Sequence, residues 1–262
     1  MISDHFLSII FLFVVALVFG SFLNACTYRI PRKISIVTPR SFCPHCKEQI
    51  VWWQNIPVLS FVLLRGKCYY CREKISWSYP LVELLTGIIS VILYLQFGLS
   101  YILLFYLLFF YAFMVISFVD ISHQVIPNKI LLFLIISGIL LNLTFKIIPW
   151  PQALSGALVA GVIIYLIRIL GQLVFKKESM GMGDVKLAVV CGYFIGWQNF
   201  LLALFFASLA ALLVYVIRHI FSTGKISQKI SFAPYLGLGC LISVLFGAHL
   251  LNLYLSYIML PK

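Results

Sequence analysis

Residues 101–120 read YILLFYLLFFYAFMVISFVD, a run of nineteen uncharged residues that ends at Asp120. Such a run is long enough to cross a lipid bilayer as a helix, which takes about 20 apolar residues. A carboxylate beside hydrocarbon costs roughly 2.5–3.5 kcal/mol at the centre of a spanning helix, and less near its ends. The position of Asp120 at the end of this run therefore indicates a functional role.

The rest of the chain is equally apolar. Its 262 residues are 63% hydrophobic and 10% charged, with a mean hydropathy of +1.09. A soluble domain of this size could not cover its surface with so few charges. The composition therefore predicts an all-α polytopic membrane protein with about eight transmembrane helices. The predicted apolar segments are 6–24, 81–97, 100–119, 130–148, 153–173, 185–196, 199–217 and 233–258.

The net charge of +12 is interpreted as a marker of membrane orientation rather than of nucleic-acid binding. Lys and Arg accumulate in cytoplasmic loops, and with the N-terminus outside only Lys146 and Lys262 fall on the outer face. This asymmetry puts Asp120 and Asp184 at the cytoplasmic side. Basic residues follow the first segment instead of preceding it, which favours a retained anchor over a signal peptide. The basic positions assigned to the inside are Arg29 to Lys74, Lys129, Arg168, Lys176, Lys177, Lys186, Arg218, Lys225 and Lys229.

Residues 25–79 form the one long polar insertion and contain two C-x2-C motifs. Four thiolates suit tetrahedral Zn²⁺, and this spacing is typical of a zinc ribbon. Disulfides are the alternative, but a reducing cytoplasm disfavours them. The sequence therefore predicts a structural zinc ion in a small cytoplasmic zinc-ribbon-like domain, between a first transmembrane helix (1–24) and a transmembrane core (80–262). The predicted ligands are Cys43, Cys46, Cys68 and Cys71.

The segment 50–64 between the two motifs is too short and too interrupted to span a membrane. Trp52 and Trp53 suggest that it lies at the level of the lipid headgroups. The alternative is that these tryptophans form the buried core of the small domain.

Asp184 lies in the tetrapeptide Gly181-Met182-Gly183-Asp184, just before another apolar run. Glycine at both positions permits unusual backbone torsions and close approach. A plain alternative is that Asp184 caps the following helix. Asp120 helps to decide, because a carboxylate at a helix C-terminus opposes the macrodipole and needs another reason to be there.

Two aspartates at one membrane edge predict an aspartic peptidase pair that shares one proton. The charged member would activate a water molecule, and the protonated member would polarise the scissile carbonyl. A transporter with proton-coupling carboxylates is a second hypothesis, although transport favours sites near the midplane within repeats. A membrane scaffold that needs only the zinc fold is a third.

Glu83 and Lys186 are weaker candidates. Glu83 lies just inside the second span, where it would bind substrate or hold a neighbouring helix. Lys186 follows Asp184 by two residues, and a structural role is expected for it.

Taken in order, these residues resemble the type IV prepilin peptidases over nearly the whole chain. The resemblance rests on both C-x2-C pairs, the two aspartates and the short motifs around them. Those motifs are Gly20 to Asn24, Tyr28 to Pro31, Asn55 to Pro57, Arg65 to Cys68, Tyr79 to Gly87, Ile126 to Asn128, Gly181 to Leu187 and Phe232 to Tyr235.

The resemblance implies a GxGD-type aspartic endopeptidase of the bacterial inner membrane, with Asp120 and Asp184 as its catalytic pair. Its substrates would be type IV prepilins and type II secretion pseudopilins, cut at the cytoplasmic face. It also implies N-methylation of the new N-terminal residue, usually Phe, with S-adenosylmethionine. The implied partners are these substrates and the lipid bilayer, without nucleic acid. Supporting roles are expected for Gly181, Gly183, Pro127, Asn128, Lys186 and Glu83.

Overall fold

The computed structural model describes residues 2–176, 180–221 and 231–259. Within these ranges the chain is helical and contains only isolated β-bridges, so the predicted all-α class is confirmed. Lys177, Lys225, Lys229 and Lys262, which were counted in the charge argument, lie outside the described residues. The α-helices are α1 (Ile2–Arg29), α2 (Leu59–Leu63), α3 (Ser78–Phe97), α4 (Tyr101–His123), α5 (Asn128–Phe145), α6 (Trp150–Phe175), α7 (Met182–Phe221) and α8 (Ala233–Met259).

Among the described residues, 7 helices are long and apolar enough to cross a membrane, namely all except α2. The chain divides into two compact units, Met1–Val115 and Ile116–Lys262. Helix α4 begins in the first unit and ends in the second, so Asp120 belongs to the second unit.

In the first unit, α1 and α3 pack as an antiparallel pair because glycines let their backbones approach. A side chain at Gly20 would come within 2.7 Å of the Cα atom of Glu83. On the other helix, Gly87 faces the Phe13 ring and Leu17 in the same way. Small residues at such crossings drive helix association where lipid removes the hydrophobic driving force.

In the second unit, α6 packs antiparallel to the first part of α7. Gly156 and Gly192 lie opposite each other so closely that each would place a Cβ against the other's backbone carbonyl. Much of the first part of α7, residues 182–195, is buried. Its fully buried side chains are Leu187, Ala188, Val190, Cys191 and Phe194.

Helix α7 is interrupted at Gly196, whose φ of 76° and ψ of 165° are not helical. Before this residue the chain runs antiparallel to α6, as Gln152 lies beside Gly196 and Arg168 hydrogen-bonds to Met180. After it, Asn199 lies against Ser243 and Gly247 of α8.

Further along, Ala203 and Ala207 lie against Gly239, so the second part of α7 runs antiparallel to α8. Helix α8 and the first part of α7 both start at the end of the unit where Asp120 and Asp184 lie. The second part of α7 runs antiparallel to α8 and so leads back to that end. The chain must therefore reverse at Gly196. The predicted segments 185–196 and 199–217 are therefore two antiparallel parts of one continuous 40-residue element.

Candidate active site

Asp120 lies in the last turn of α4, which ends at His123. Its carbonyl oxygen accepts the N–H of Gln124 at 2.8 Å and the hydroxyl of Ser231 at 3.0 Å. The side chain is only 7% exposed. Its Oδ2 atom accepts the backbone N–H of Ala233, the first residue of α8, at 3.2 Å.

The hydrogen bond from Ala233 offsets the unfavourable interaction of the Asp120 carboxylate with the dipole of its own helix. The carboxylate lies at the C-terminal end of its own helix, which is unfavourable, but it also caps the N-terminus of α8. A carboxylate at a helix N-terminus gains about 0.3–1 kcal/mol from the macrodipole. The second helix thus offsets the penalty from the first.

Asp184 lies in the first turn of α7 and is half-buried. Its Oδ2 atom accepts the N–H of Gly181 at 3.1 Å, so the capping role considered in the sequence is part of the structure. Helix capping does not compete with a catalytic role here, because the Asp120 and Asp184 carboxylates lie within electrostatic range of each other. The two carboxylates therefore each accept an N–H at the start of a helix, α8 for Asp120 and α7 for Asp184.

Gly183 lets the first turn of α7 approach Ile126 closely. A Cβ at this position would lie 3.1 Å from Cβ of Ile126, tighter than ordinary packing, whereas one at Gly181 would come no closer than 3.5 Å to Asp184. Neither glycine has a left-handed φ, so the unusual torsions expected from the sequence are not observed.

The start of α5 joins the same cluster. Pro127 precedes the helix and Asn128 is its first residue. Lys186 Nζ donates to Asn128 Oδ1 at 3.1 Å, which links the first turns of α5 and α7. The last turn of α4 and the first turns of α5, α7 and α8 thus meet at one end of the second unit.

The break at Gly196 is remote from this cluster. It follows Asp184 by twelve helical positions, a rise of about 18 Å. The transporter hypothesis favours carboxylates beside a broken helix, and neither aspartate is placed in that way.

In the first unit, the four predicted cysteine ligands lie together. Their Sγ atoms are all within 4.8 Å of one another, and those of Cys43 and Cys71 are 3.9 Å apart. Tetrahedral Zn–S bonds of about 2.3 Å require sulfurs roughly 3.8 Å apart. All seven cysteines of the chain lie in its described part, and none forms a disulfide. The cluster therefore has the donor set and the spacing to hold a metal ion.

The two cysteine motifs have the same local structure. In each, the N–H of the first cysteine donates to the carbonyl five residues later, and the N–H four residues later donates back to that cysteine. These distances are 2.9 and 3.0 Å in the first motif and 2.8 and 3.1 Å in the second. Lys47 and Arg72 occupy the equivalent left-handed positions, with φ of 64° and 60°.

Segments 41–50 (SFCPHCKEQI) and 66–75 (GKCYYCREKI) are therefore one repeated unit. The repeat was not predicted from the sequence, although the two segments share a basic residue, a glutamate and an isoleucine at equivalent positions after the cysteines. The pKa of the Cys68 thiol is lowered to about 7, because the backbone N–H groups of Cys71 and Tyr70 outweigh the opposing effect of burial. The N–H groups favour the thiolate, which is the form in which a cysteine binds a metal ion.

The tryptophans of the cysteine loop do not form a buried core. Trp52 is 78% exposed and Trp77 is 77% exposed. Trp53 packs edge-on against Tyr69, with ring centroids 5.3 Å apart. Of the two interpretations of these residues, placement at the lipid headgroups agrees better with this exposure.

Glu83 lies in α3 and is 7% exposed. Its Oε2 atom accepts the N–H of Val58 at 2.7 Å. Val58 has a φ of 60°, which is unfavourable for a β-branched residue. The carboxylate of Glu83 therefore holds a strained turn just before α2, within the first unit and not among the residues around Asp120.

These observations define a polytopic helical membrane protein with two opposed aspartates at helix ends and a separate four-cysteine cluster. Residues 107–216, which include both aspartates, match the type IV leader peptidase family. Residues 14–97, which include the four cysteines, match the bacterial peptidase A24 N-terminal domain. The chain belongs to the type IV leader peptidase family, and the resemblance found in the sequence is confirmed.

Curated relatives support the same membership. A prepilin leader peptidase/N-methyltransferase of Legionella pneumophila is 31% identical over 265 residues, covering 92% of each chain. One from Aeromonas salmonicida is 30% identical over 279 residues, 97% of this chain and 95% of the relative. One from Myxococcus xanthus is 36% identical over 220 residues, 84% of this chain and 65% of the relative. No solved structure matches the chain at a significant level.

Proposed function

We propose that the protein is a bifunctional membrane enzyme that cleaves the leader from prepilins and N-methylates the new N-terminus. The names of its relatives support both activities. One structural observation supports the cleavage most directly: Asp120 and Asp184, two of only three aspartates in the chain, lie near enough to interact electrostatically at one end of the second unit. The substrates are type IV prepilins and type II secretion pseudopilins.

Cleavage proceeds by aspartic peptidase chemistry. Two neighbouring carboxylates share one proton because they do not both ionise readily. The ionised carboxylate takes a proton from water, and the resulting hydroxide attacks the carbonyl carbon of the scissile bond. The protonated carboxylate donates a hydrogen bond to the carbonyl oxygen as negative charge develops there. The tetrahedral intermediate then collapses, the C–N bond breaks, and the carboxyl group that took the proton from water gives a proton to the leaving amine.

The helix ends around the pair support this role. The N–H groups of Ala233 and Gly181 each fix one carboxylate oxygen, at 3.2 and 3.1 Å. A pair held in this way keeps its geometry through the reaction, and such preorganisation is a major source of catalytic rate.

The four cysteines hold a structural zinc ion. All four tetrahedral positions are filled by thiolates, so no position remains for a catalytic water. A loop of this size has little core of its own, and a metal ion explains how it folds. Bound S-adenosylmethionine supplies the methyl group for the second activity.

The protein is a multi-pass protein of the bacterial inner membrane. We infer that its N-terminus lies outside and that Asp120 and Asp184 lie at the cytoplasmic face. The inference is supported by the basic residues between Arg29 and Lys74 and by the scarcity of Lys and Arg on the opposite face.

The direct test uses purified protein and a membrane-embedded prepilin without any ion gradient. Mass spectrometry should find the shortened product, and a methylated N-terminus when S-adenosylmethionine is added. A product that appears only when an ion gradient is imposed would contradict the proposal and favour transport.

Gly183→Ala should reduce leader cleavage by about tenfold or more, because small displacements of catalytic groups have large effects on rate. The added methyl group would lie 3.1 Å from Ile126, and relieving this contact moves the first turn of α7 that carries Asp184. Overpacking of this kind typically costs 1–3 kcal/mol. The measurement is the initial rate of cleavage, with the thermal transition followed in parallel.

The matched control for this variant is Gly181→Ala. A Cβ there makes only ordinary contacts, the nearest at 3.5 Å, so its rate should stay closer to that of the wild type. Equal rates for the two variants would show that the close approach at Gly183 does not position Asp184.

A further inference from the structure

The first unit contains a cavity of about 280 Å³ that none of the residues proposed for cleavage lines. Its volume is close to the lower end of the range for small-molecule sites, about 300 Å³. The cavity lies between the last turns of α1, the first turns of α3 and the cysteine loop. Residues from all three regions line it, among them Asn24, Tyr28, Gln54, Phe61, Tyr79 and Glu83.

Gln54 gives this cavity an unused hydrogen-bond donor. Its Oε1 atom accepts the N–H of Val51 at 3.3 Å, but its Nε2 atom is buried and has no partner within the described structure. Leaving a buried donor unpaired costs about 1–3 kcal/mol. Such a group is therefore expected to meet an acceptor on a bound molecule.

Glu83 brings a buried carboxylate to the same cavity. One oxygen accepts Val58 N–H, and the Ser21 and Asn24 side chains also hydrogen-bond to the carboxylate. A carboxylate has about four lone-pair sites, so one further donor can be accommodated. Asn24, also buried, is fixed beside it by donating to the carbonyl of Tyr79 at 2.9 Å. This arrangement suits a ligand that carries hydroxyl or ammonium donors, or a cationic centre.

Aromatic rings complete the lining. Tyr28, Phe61 and Tyr79 contribute to the wall, where flat faces can stack on a purine and attract a cationic sulfur. Cys43 and Cys68 also line the cavity, so the metal cluster shapes one side of it. An adenosyl sulfonium compound combines the features these residues would bind: a flat base, ribose hydroxyls, an ammonium group and a positive sulfur.

We propose that this cavity binds S-adenosylmethionine, with Gln54 and Glu83 as its main polar contacts. The inference rests on the proposed methyl transfer and assigns its donor a place within the first unit. It requires only residues of that unit and is independent of the aspartate pair.

The test is isothermal titration of the full-length, zinc-loaded protein in lipid nanodiscs with S-adenosylmethionine and with S-adenosylhomocysteine. Gln54→Leu and Glu83→Gln should each weaken binding by about tenfold or more, as expected for the loss of a buried hydrogen bond or charge. Glutamine at position 83 retains an acceptor for Val58. Zinc content should remain that of the wild type in both variants, and Gln54→Leu should also cleave leaders at the wild-type rate.

Gln49→Leu and Glu48→Gln are the matched controls. Both residues are exposed in the same cysteine loop and neither lines the cavity, so both variants should bind as the wild type does. Wild-type affinity in Gln54→Leu and Glu83→Gln would overturn the cavity assignment and leave the proposed function intact. A wild-type protein that cleaves leaders but binds neither compound would overturn the methyl-transfer half of the proposed function, and this inference with it.

A second measurement does not depend on the folding of any variant. The wild type is photolabelled with 8-azido-S-adenosylmethionine and the labelled peptides are identified by mass spectrometry. Labels should fall on the peptides that contain Tyr28, Gln54 or Tyr79. Labelling confined to residues 116–259 would overturn the proposal.

Discussion

Asp120→Asn and Asp184→Asn each reduce the rate of leader cleavage by at least about 10²–10⁴-fold, the usual contribution of a general acid or base. Asparagine keeps the shape of the side chain and can still accept the N–H of Ala233 or Gly181. It cannot take up or release the shared proton. The measurement is the initial rate of cleavage of a membrane-embedded prepilin, together with the thermal transition of each variant.

The chain offers one matched control, because its third aspartate is Asp4. Asp4→Asn makes the same chemical change outside the pair and should cleave at the wild-type rate.

The proposal also predicts that the double variant is scarcely slower than either single variant, since the effects of substituting residues that act as a unit are not additive. Cleavage that survives either single change in a folded protein would rule out the aspartate pair.

Replacing both Cys43 and Cys71 with serine eliminates zinc binding. The two Sγ atoms are 3.9 Å apart in a cluster of four, and two remaining thiolates cannot complete a tetrahedral site. Because the free energy of metal binding is also folding free energy for a small metal-bound domain, residues 43–71 should become sensitive to protease. Zinc content falls from about one ion per chain to near zero, as measured by elemental analysis.

Cys191→Ala with Cys240→Ala is the corresponding control, as these two cysteines are buried neighbours outside the cluster. That variant should retain zinc and the protease resistance of the cysteine loop. Since Cys43 and Cys68 line the cavity of the first unit, loss of zinc should also weaken the binding of S-adenosylhomocysteine. Full zinc content in the Cys43/Cys71 variant would show that the ion is held elsewhere.

Helix boundaries were largely predictable from hydropathy because each membrane-crossing segment must satisfy its own backbone hydrogen bonds. The predicted segment 233–258, for example, lies within Ala233–Met259, and the predicted 100–119 begins one residue before Tyr101–His123. The reversal at Gly196 was less clear, since Gly192 and Gly196 both interrupt one short apolar segment. Only the packing against α6 and α8 shows that the chain turns back at the second of these glycines.

The candidate site, too, could be predicted from the sequence only in part. The sequence singled out Asp120 and Asp184 because charges beside apolar runs are rare and costly. It did not reveal that Ala233 donates to Asp120, since a backbone N–H has no signature in the side-chain pattern. Ile126 was also unforeseen as the reason for glycine at position 183, because that contact joins a loop to a helical turn that is distant in sequence.

The sequence by itself determined the class of protein, the two aspartates and the four cysteines. These depend on residue type and short spacing, and hydrocarbon solvent and thiolate chemistry restrict both strongly. The tertiary structure decided that the end of α4 and the start of α7 bring the two carboxylates near enough to interact electrostatically. It also decided that the cysteine motifs are a repeated unit and that Gln54 and Glu83 share a cavity. Such juxtapositions depend on how distant helices pack, and packing is set by side-chain shape across many contacts that no local pattern records.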